Sequence, residues 1–420
     1  RVAGANDLAK RVAENWRTQH SPAYREQVAK AAKLQAQLAT LTSLIPLTMV
    51  MKELEQPRAT FVLNRGSYDQ PLMDRPVTRG VPAALGKLPA EAPNDRLGLA
   101  LWLIADENPL LARVTVNRLW EMIFGTGIVR TSADFGLQGA WPSNPELLDW
   151  LAVEFREGGW DVKEILKQMV TSNAYRQDSR VRAAAAAVDP QNALLWRYPR
   201  RRLGAEEIRD QALYVAGLLK EDFGGPSVKP YQPAGLWKEV AMLQSNTRNF
   251  VRGEGDQLWR RSLYTFWKRA VPPPSLLTFD APTREFCIIT RGTTNTPLQA
   301  LVLWNDEQYV EAARQLAQRT LAADDFAPTD DNTLHDATDR YVISMFRRCT
   351  GRNPEAAELL VLREALDGFR QRFEAAPDAA VNLLKVGESM LPEDANPTQL
   401  AAWTMLANAL LALDETISHR

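Results

Sequence analysis

Four Asn-Pro pairs recur along the sequence, and they limit most strongly what the chain can fold into. Asparagine is a favoured helix N-cap, and proline suits the first helical position because the amide that it lacks would be unpaired there anyway. Each pair precedes apolar residues at helical spacing, and the pairs are Asn108-Pro109, Asn144-Pro145, Asn353-Pro354 and Asn396-Pro397. The pattern predicts a mostly α-helical protein in which four helices begin at these positions.

Short alternating stretches favour a few strands among the helices. Residues 59–66, 261–269 and 285–291 combine β-branched and aromatic residues with period-two alternation. Three consecutive prolines separate the last two stretches and favour an extended polyproline conformation. Residues 222–258 contain glycine, proline and polar residues, which is typical of a long loop. We therefore predict a multi-helical domain with a small antiparallel β-sheet and long ordered loops.

The length of 420 residues exceeds the size at which a single hydrophobic core stops growing. We predict three parts. Residues 1–45 are a helical connector from a region upstream, because they are alanine-rich and the sequence begins at Arg1 rather than methionine. Residues 46–258 form an N-terminal helical part with one short strand and long loops. Residues 259–420 form a strand–polyproline–strand insertion followed by a C-terminal helical part.

Charge, hydropathy and histidine content argue against several classes of function. Fifty lysines and arginines face 51 aspartates and glutamates, and such a balance argues against a dedicated nucleic-acid-binding protein, which neutralises phosphates with a basic surface. No apolar run reaches the roughly 18–20 residues of a membrane span, so we predict no span in this chain. The three histidines, His20, His335 and His419, are too scattered for a histidine metal cluster, and we expect no metal site.

Residues 259–313 contain the densest mixture of aromatic, arginine and carboxylate side chains in the sequence. Thr296 is a predicted N-cap, and the free amides of the helix that begins at Pro297 favour an anion. Aromatic walls with a few convergent polar groups are typical of a ligand pocket. We predict a glycan or anionic-ligand site around residues 259–300, and its candidate residues are Arg261, Tyr264, Trp267, Lys268, Asp280, Arg284, Glu285 and Asn295.

Two other interpretations of the same carboxylates stay open. Arginine–carboxylate pairs frequently fasten loops, and this interpretation of Asp280, Arg284 and Glu285 is favoured over catalysis. An acid/base pair of Asp280 and Glu285 is the alternative, and it would make the protein a polymer-directed hydrolase, for which Asp134 is a further candidate. A calcium site is disfavoured because the sequence has no loop of alternating oxygen ligands.

A series of motifs resembles the planctomycete-specific PSD domain family of unknown function across about residues 45–415. These motifs include RGSYD (65–69), NPLLARVTVNRLW (108–120), RRRLGAEEIRD (200–210) and TNTPLQALVLWND (294–306). The resemblance implies the C-terminal part of a large, extracytoplasmic protein, either periplasmic or secreted, with a cytochrome-c-like domain upstream. Haem is then expected only in that fused or partner domain, and this chain is expected to carry no cofactor.

The implied oxidising compartment gives the two cysteines a second interpretation. Cys349 shares a helical stripe with Tyr341 and Met345, so a buried inert thiol is the simpler expectation. A disulfide between Cys287 and Cys349 is the alternative, because they are the only two cysteines in an extracytoplasmic chain.

These observations favour an accessory binding or interaction domain of an extracytoplasmic, redox-linked multidomain protein. Its expected partners are upstream domains of the same protein or a partner chain, together with a glycan or anionic ligand. The alternatives are the hydrolase described above and a purely structural partner of the upstream domains. The sequence does not decide whether the protein is an enzyme.

Overall fold

A computed structural model describes residues 2–322 and 337–419. It divides into two compact units, Arg1–Asn108 and Pro109–Arg420. The protein is 51% helical, with 16 helices and two small antiparallel two-stranded sheets in its described residues. The predicted class, mostly α with a small antiparallel sheet, is confirmed. The predicted three-part division follows sequence patterns rather than packing, and it stays a prediction.

The first unit contains two long helices, a β-hairpin and one short helix. Its elements are α1 (Val2–His20), α2 (Pro22–Leu44), β1 (Thr60–Leu63), β2 (Pro71–Val77) and α3 (Arg96–Leu103). Strand β1 confirms the prediction for residues 59–66 and pairs antiparallel with β2, Thr60 lying opposite Val77. Large apolar side chains of α1 and α2 are exposed, and they include Leu8, Val12 and Trp16 at 62% each.

The second unit begins with three helices around one apolar core. These helices are α4 (Leu111–Phe124), α5 (Pro145–Glu157) and α6 (Val162–Thr171). Their apolar residues recur at helical spacing, and the buried ones include Val116, Trp120, Leu148, Leu151, Phe155 and Ile165. We call α4, α5 and α6 the three-helix cluster.

A larger core follows in the same unit. The elements that follow the three-helix cluster in the chain are α7 (Ala183–Val188), β3 (Arg201–Arg202), α8 (Ala205–Ala216), α9 (Leu236–Val240), α10 (Pro274–Thr278), α11 (Pro297–Asn305), α12 (Glu307–Leu321), α13 (Ala337–Thr350), α14 (Ala356–Ala375), α15 (Pro377–Leu384), α16 (Pro397–Leu411) and β4 (Ser418–His419). Helix α16 packs against α12, α14 and α15, and α12 also packs against α8. Leu316, Leu366 and Leu406 are completely buried where these helices meet.

The helix starts follow the sequence only in part. Asn144 and Asn396 are N-caps, each accepting a backbone N–H through its side chain, with proline as the next residue. By contrast, α4 begins at Leu111 and α14 at Ala356, and Leu110 and Glu355 are the residues that directly precede them. The helix starts predicted at Pro109 and Pro354 are wrong by two residues, because one further residue separates each Asn-Pro pair from its helix.

The two strands predicted in residues 261–269 and 285–291 are wrong. The first stretch forms a 3₁₀ turn at Ser262–Tyr264, with isolated bridges at Thr265 and Lys268. The second contains no strand and is exposed along its whole length. Instead, the second sheet pairs β3 with β4, Arg201 lying opposite His419. Two-residue strands have too little alternation to be recognised in a sequence.

Candidate functional site

Aromatic side chains of residues 259–300 are covered by cationic side chains. The Arg284 guanidinium carbon lies 4.1 Å from the ring centroid of Trp267, whose Nε1 donates to the Thr283 carbonyl at 2.8 Å. In the same way, the Arg260 guanidinium lies 3.9 Å from the Tyr264 ring. Each pair joins two segments through a cation–π contact, and the covered ring face is not available as a stacking platform.

Lys268 is held in a similar way by a neighbouring loop. Its Nζ donates to the Thr247 carbonyl at 2.7 Å and lies 4.9 Å from the ring centroid of Trp237. Trp237 is only 2% exposed. Lys268, a predicted ligand-binding residue, therefore contacts Thr247 and Trp237 of its own chain. Both lie in residues 222–258, which we predicted to be a long loop.

Asp280 lies at the centre of a polar network that we call the Asp280 clasp. Its carboxylate receives the Arg202 guanidinium, the Thr294 amide at 2.9 Å and the Thr294 hydroxyl at 2.8 Å. Arg202 also donates to Gln299 Oε1 at 2.8 Å, and Gln299 Nε2 donates to the Thr278 carbonyl at 2.9 Å. The clasp therefore ties β3, α10, α11 and the segment between α10 and α11 together.

The clasp also stabilises the charged form of the carboxylate. Burial alone would raise the pKa of Asp280, but the bonds from Thr294 and Arg202 outweigh it and hold this pKa below its ordinary value. The backbone of Asp280 has a positive φ of 63°, which aspartate tolerates better than most residues. A general acid needs a raised pKa, so this carboxyl is unsuited to that role.

The remaining predicted residues do not join the clasp. Arg261, Glu285 and Asn295 are exposed, and their side chains form no hydrogen bond or ion pair with the described part of the chain. Asp280 and Glu285 thus share neither a hydrogen bond nor a partner. Five of the eight predicted residues take part in separate contacts, and the side chains of the other three make no hydrogen bond or ion pair with the described chain, so the eight do not converge on one site.

A buried arginine that the sequence did not reveal positions the start of this region. Arg209 of α8 is 2% exposed and donates to the carbonyls of Leu258 and Arg260, both at 2.8 Å. Its Nε donates to Gln308 of α12 at 2.8 Å, and the next residue, Asp210, accepts from the amide and hydroxyl of Ser262 at 2.7 Å. Nothing in a helical stripe distinguishes such an inward arginine from a solvated one.

A second buried charge holds the loop that follows α15. Glu311 of α12 is completely buried and accepts from the amides of Glu388 and Ser389 at 2.8 and 2.6 Å. Its other oxygen accepts from Trp259 Nε1 at 3.0 Å. Gly387 passes so close that an added Cβ would lie 2.4 Å from the Glu311 carboxyl carbon.

The chain is exposed continuously from residue 283, after α10, to residue 298, in the first turn of α11. We call residues 283–298 the presented segment. Phe286 is 70% exposed, Ile288 40%, Ile289 46% and Leu298 56%. Solvent-facing apolar side chains at this density mark an interaction surface more often than a catalytic cleft.

The predicted disulfide is absent from the structure. Cys287 lies on the presented segment and is exposed, whereas Cys349 is buried in α13, and both thiols are free. Burial raises the pKa of the Cys349 thiol to about 12, so it behaves as a small apolar side chain. One cysteine in the core and one on the surface are not placed to form a bridge.

Two further features of the described residues bear on function. They include no cluster of three or more histidine, cysteine or acidic side chains arranged to hold a metal ion. None of their helices combines the length and apolar character that a membrane span requires.

Together, these contacts define a helical domain whose central loops are fastened by buried charges and whose presented segment faces solvent. A family model matches residues 95–366, and the chain belongs to this family, PSD1, described as a protein of unknown function (DUF1553). No curated protein and no solved structure is significantly similar to the chain.

Proposed function

We propose that the protein is a non-catalytic accessory domain that uses the presented segment to contact other polypeptides. The observation that carries the proposal is the contrast along this segment. Its two flanks are fastened by the Asp280 clasp and by Arg284 on Trp267, while its apolar side chains face solvent. A fixed backbone lowers the ordering cost of binding, and exposed apolar side chains supply contact area.

A protein partner is favoured over the glycan that the aromatic residues first indicated. Sugar rings bind on open aromatic faces, but cationic side chains cover Trp267 and Tyr264, and Trp237 is buried. Phe286 is the open aromatic ring of the presented segment, and it adjoins aliphatic residues. Such a surface suits an apolar protein surface.

The hydrolase alternative loses support from the same contacts. Asp280 is committed to Arg202 and Thr294, and Glu285 lies apart from it without a partner in the described residues. Asp134 accepts from the Gly136 amide at 2.7 Å, as expected of a residue that closes a turn.

A purely structural role toward upstream domains has one observation in its favour. Three leucines of α2 recur at helical spacing and are exposed, with Leu34 at 56%, Leu38 at 64% and Leu41 at 63%. No residue of α2 is buried. An apolar stripe of this length favours a further helix packed against it.

The setting of the domain is part of the proposal. The resemblance to secreted proteins with a cytochrome-c-like domain supports an extracytoplasmic, redox-linked multidomain protein. Haem then belongs to the fused or partner domain, and the presented segment contributes to the contacts that hold such an assembly together.

Retention of a haem protein tests this function. The chain is immobilised, an extracytoplasmic extract of the source organism is passed over it, and retained haem is measured by its Soret absorbance. We expect retention by the unaltered chain and at least about tenfold less by a Phe286→Ser/Ile289→Ser variant, since each loses most of one buried apolar side chain.

The matched control is Phe223→Ser, because Phe223 is 95% exposed but lies outside the presented segment. It should retain as much haem as the unaltered chain. Equal retention by all three proteins would show that the presented segment is not the contact surface. No retention by any of them would reject the link to a haem protein.

A further inference from the structure

The backbone of the presented segment is unpaired at its centre. Residues 286–290 form no hydrogen bond, through backbone or side chain, with the described part of the chain. Neighbouring residues are fixed, because Arg284 lies on Trp267 and Arg291 donates to both carboxylate oxygens of Glu206 at 2.6 and 3.2 Å. An exposed stretch whose backbone amides and carbonyls are unpaired can pair with another extended stretch, as an unpaired sheet edge does.

The side chains of this stretch suit a strand that is covered on both faces. The sequence of residues 285–291 is EFCIITR, rich in β-branched and aromatic residues and free of glycine and proline. Phe286 and Ile288 would lie on one face, and Cys287 and Ile289 on the other. The stretch bends at residues 284–286 and 289–290, so these bends would have to straighten for it to pair as a strand.

The charged residues at the two ends of the stretch, Glu285 and Arg291, make it complementary to a second copy of itself. When two copies of the stretch run antiparallel with Ile288 opposite Ile288, Glu285 of each copy lies opposite Arg291 of the other. The Glu285 carboxylate has no hydrogen bond or ion pair in the described chain and is free to make this contact. Arg291 would bridge Glu206 of its own chain and Glu285 of the second copy, since a guanidinium has five N–H donors. Opposite charges at facing positions stabilise a pair of strands, and like charges destabilise it.

We infer that two copies of the chain associate by antiparallel pairing of residues 285–291 about a twofold axis at Ile288. This pairing rests on the proposed function, because it names the polypeptide that the presented segment contacts. An isologous contact of this type closes after two copies and does not propagate into fibres. It brings the upstream domains of two chains into one assembly.

The dimer is expected to be weak. A strand of seven residues is about 23 Å long at roughly 3.3 Å per residue, and its pairing buries less than the roughly 1,200 Å² of a standard interface. We therefore expect a dissociation constant of about 10–100 μM, measured by sedimentation equilibrium over a range of concentrations. A chain that stays monomeric up to about 1 mM would overturn the inference.

Proline substitutions test whether backbone hydrogen bonds hold the dimer. The amides of residues 288 and 289 point to opposite edges of a strand, so one of them faces the second copy. We expect either Ile288→Pro or Ile289→Pro to weaken association at least about tenfold, because proline has no amide to donate. Their thermal melts should match that of the unaltered chain, since residues 286–290 make no internal hydrogen bond. Unchanged association in both variants would exclude strand pairing.

Charge exchange tests the register. Glu285→Lys and Arg291→Glu should each abolish self-association, because each places like charges opposite one another. Mixed in equal amounts, the two variants should form a heterodimer in which every facing pair is again opposite in sign. Glu206→Gln is the control for the lost internal ion pair of Arg291, and it should still dimerise. Failure of the mixture to associate would reject this register.

A cysteine at the axis provides an independent measurement. In a Cys287→Ser background, Ile288→Cys places two thiols opposite each other and should give a disulfide-linked dimer on oxidation. Phe286→Cys in the same background faces Thr290 of the second copy and should stay uncrosslinked. The reverse result would overturn the pairing.

The two proposals fail separately. If the chain is monomeric but loses haem-protein retention in the Phe286→Ser/Ile289→Ser variant, the presented segment contacts a different polypeptide, and only the pairing is rejected. If the chain dimerises as described but retains no haem protein, only the link to a haem protein is rejected.

Discussion

The three-helix cluster and residues 259–300 lie in the same unit but are held together by different chemistry. The cluster buries apolar side chains such as Val116, Leu151 and Ile165, which the helical period had identified. Residues 259–300 are held by charged side chains, through Arg209, the Asp280 clasp and cation–π pairs. The first kind of packing follows from local pattern, whereas the second depends on partners far away in sequence.

This difference has an energetic consequence. An apolar core loses stability in proportion to the volume removed from it, and neighbours relax partly into the space. A buried charge loses far more when its partner is removed, because the remaining charge is left unpaired. Single substitutions of the polar side chains that hold residues 259–300 should therefore lower the stability of the protein strongly. The loss should be larger than the exposure of this stretch to solvent would indicate.

The largest effect is expected for Arg209→Leu. This change leaves the carbonyls of Leu258 and Arg260 and the side chain of Gln308 without their donor, and we expect a loss of about 3–5 kcal/mol in the free energy of unfolding. Denaturant unfolding measures it. The nearby Arg261→Leu is the control, since Arg261 is exposed and its side chain makes no contact of this kind, and its effect should stay within about 0.5 kcal/mol. Equal losses of unfolding free energy in the two variants would show that the buried Arg209 contributes no more to stability than an exposed arginine.

Asp280→Asn should have the next largest effect. The amide cannot replace the ionised acceptor of Arg202 and Thr294, and we expect a loss of about 1.5–3 kcal/mol at pH 7. Because the pKa of Asp280 is lowered in the folded protein, its contribution is present above the ordinary pKa of 3.8 and is lost as pH falls through the folded value. Unfolding measured from pH 7 to pH 2 should show the two proteins converging at low pH. Glu285→Gln is the control, because the exposed Glu285 side chain makes no hydrogen bond or ion pair in the described chain, and its effect at pH 7 should stay within about 0.5 kcal/mol.

A smaller difference is expected between two Asn-Pro pairs. Asn396 accepts from the amides of Thr398 and Gln399, so Asn396→Ala should cost about 1 kcal/mol. Asn353 does not cap α14, and Asn353→Ala should cost roughly half of that or less. Thermal unfolding of the two variants under the same conditions compares them. Similar losses would mean that the pair at residue 353 does stabilise its helix.

The smallest effect is expected for Arg284→Ala. It removes the guanidinium from the Trp267 ring and should cost about 0.5–1 kcal/mol, as a partly exposed cation–π pair does. Hydrogen exchange at the Glu285 amide, which donates to the Thr283 hydroxyl at 3.4 Å, should rise, since Arg284 fixes this flank of the presented segment. Arg284→Lys keeps a cation near the ring and should restore part of the protection. No change in exchange would show that the clasp alone fixes this flank.

The sequence was sufficient for the helices and for the stripe of each core, because 3.6-residue periodicity and caps such as Asn144 and Asp161 act within one turn. It was insufficient for Asp280, whose partner Arg202 is 78 positions away. It also misplaced residues 285–291, since a strand-forming sequence becomes a strand only when another strand is available. The sequence showed that residues 259–300 are rich in polar and aromatic side chains, but it did not show which of these side chains contact each other.

The close approach of Gly387 to Glu311 has a consequence for the spectrum of tolerated mutations. A Cβ at residue 387 would overlap the buried carboxylate, and the backbone there has a positive φ of 84°. Gly368, inside α14, has no atom within 4 Å of an added Cβ. In a saturation library selected for folded protein, position 387 should therefore return glycine alone, while position 368 returns many residues. Natural variation at these two glycines should diverge in the same way.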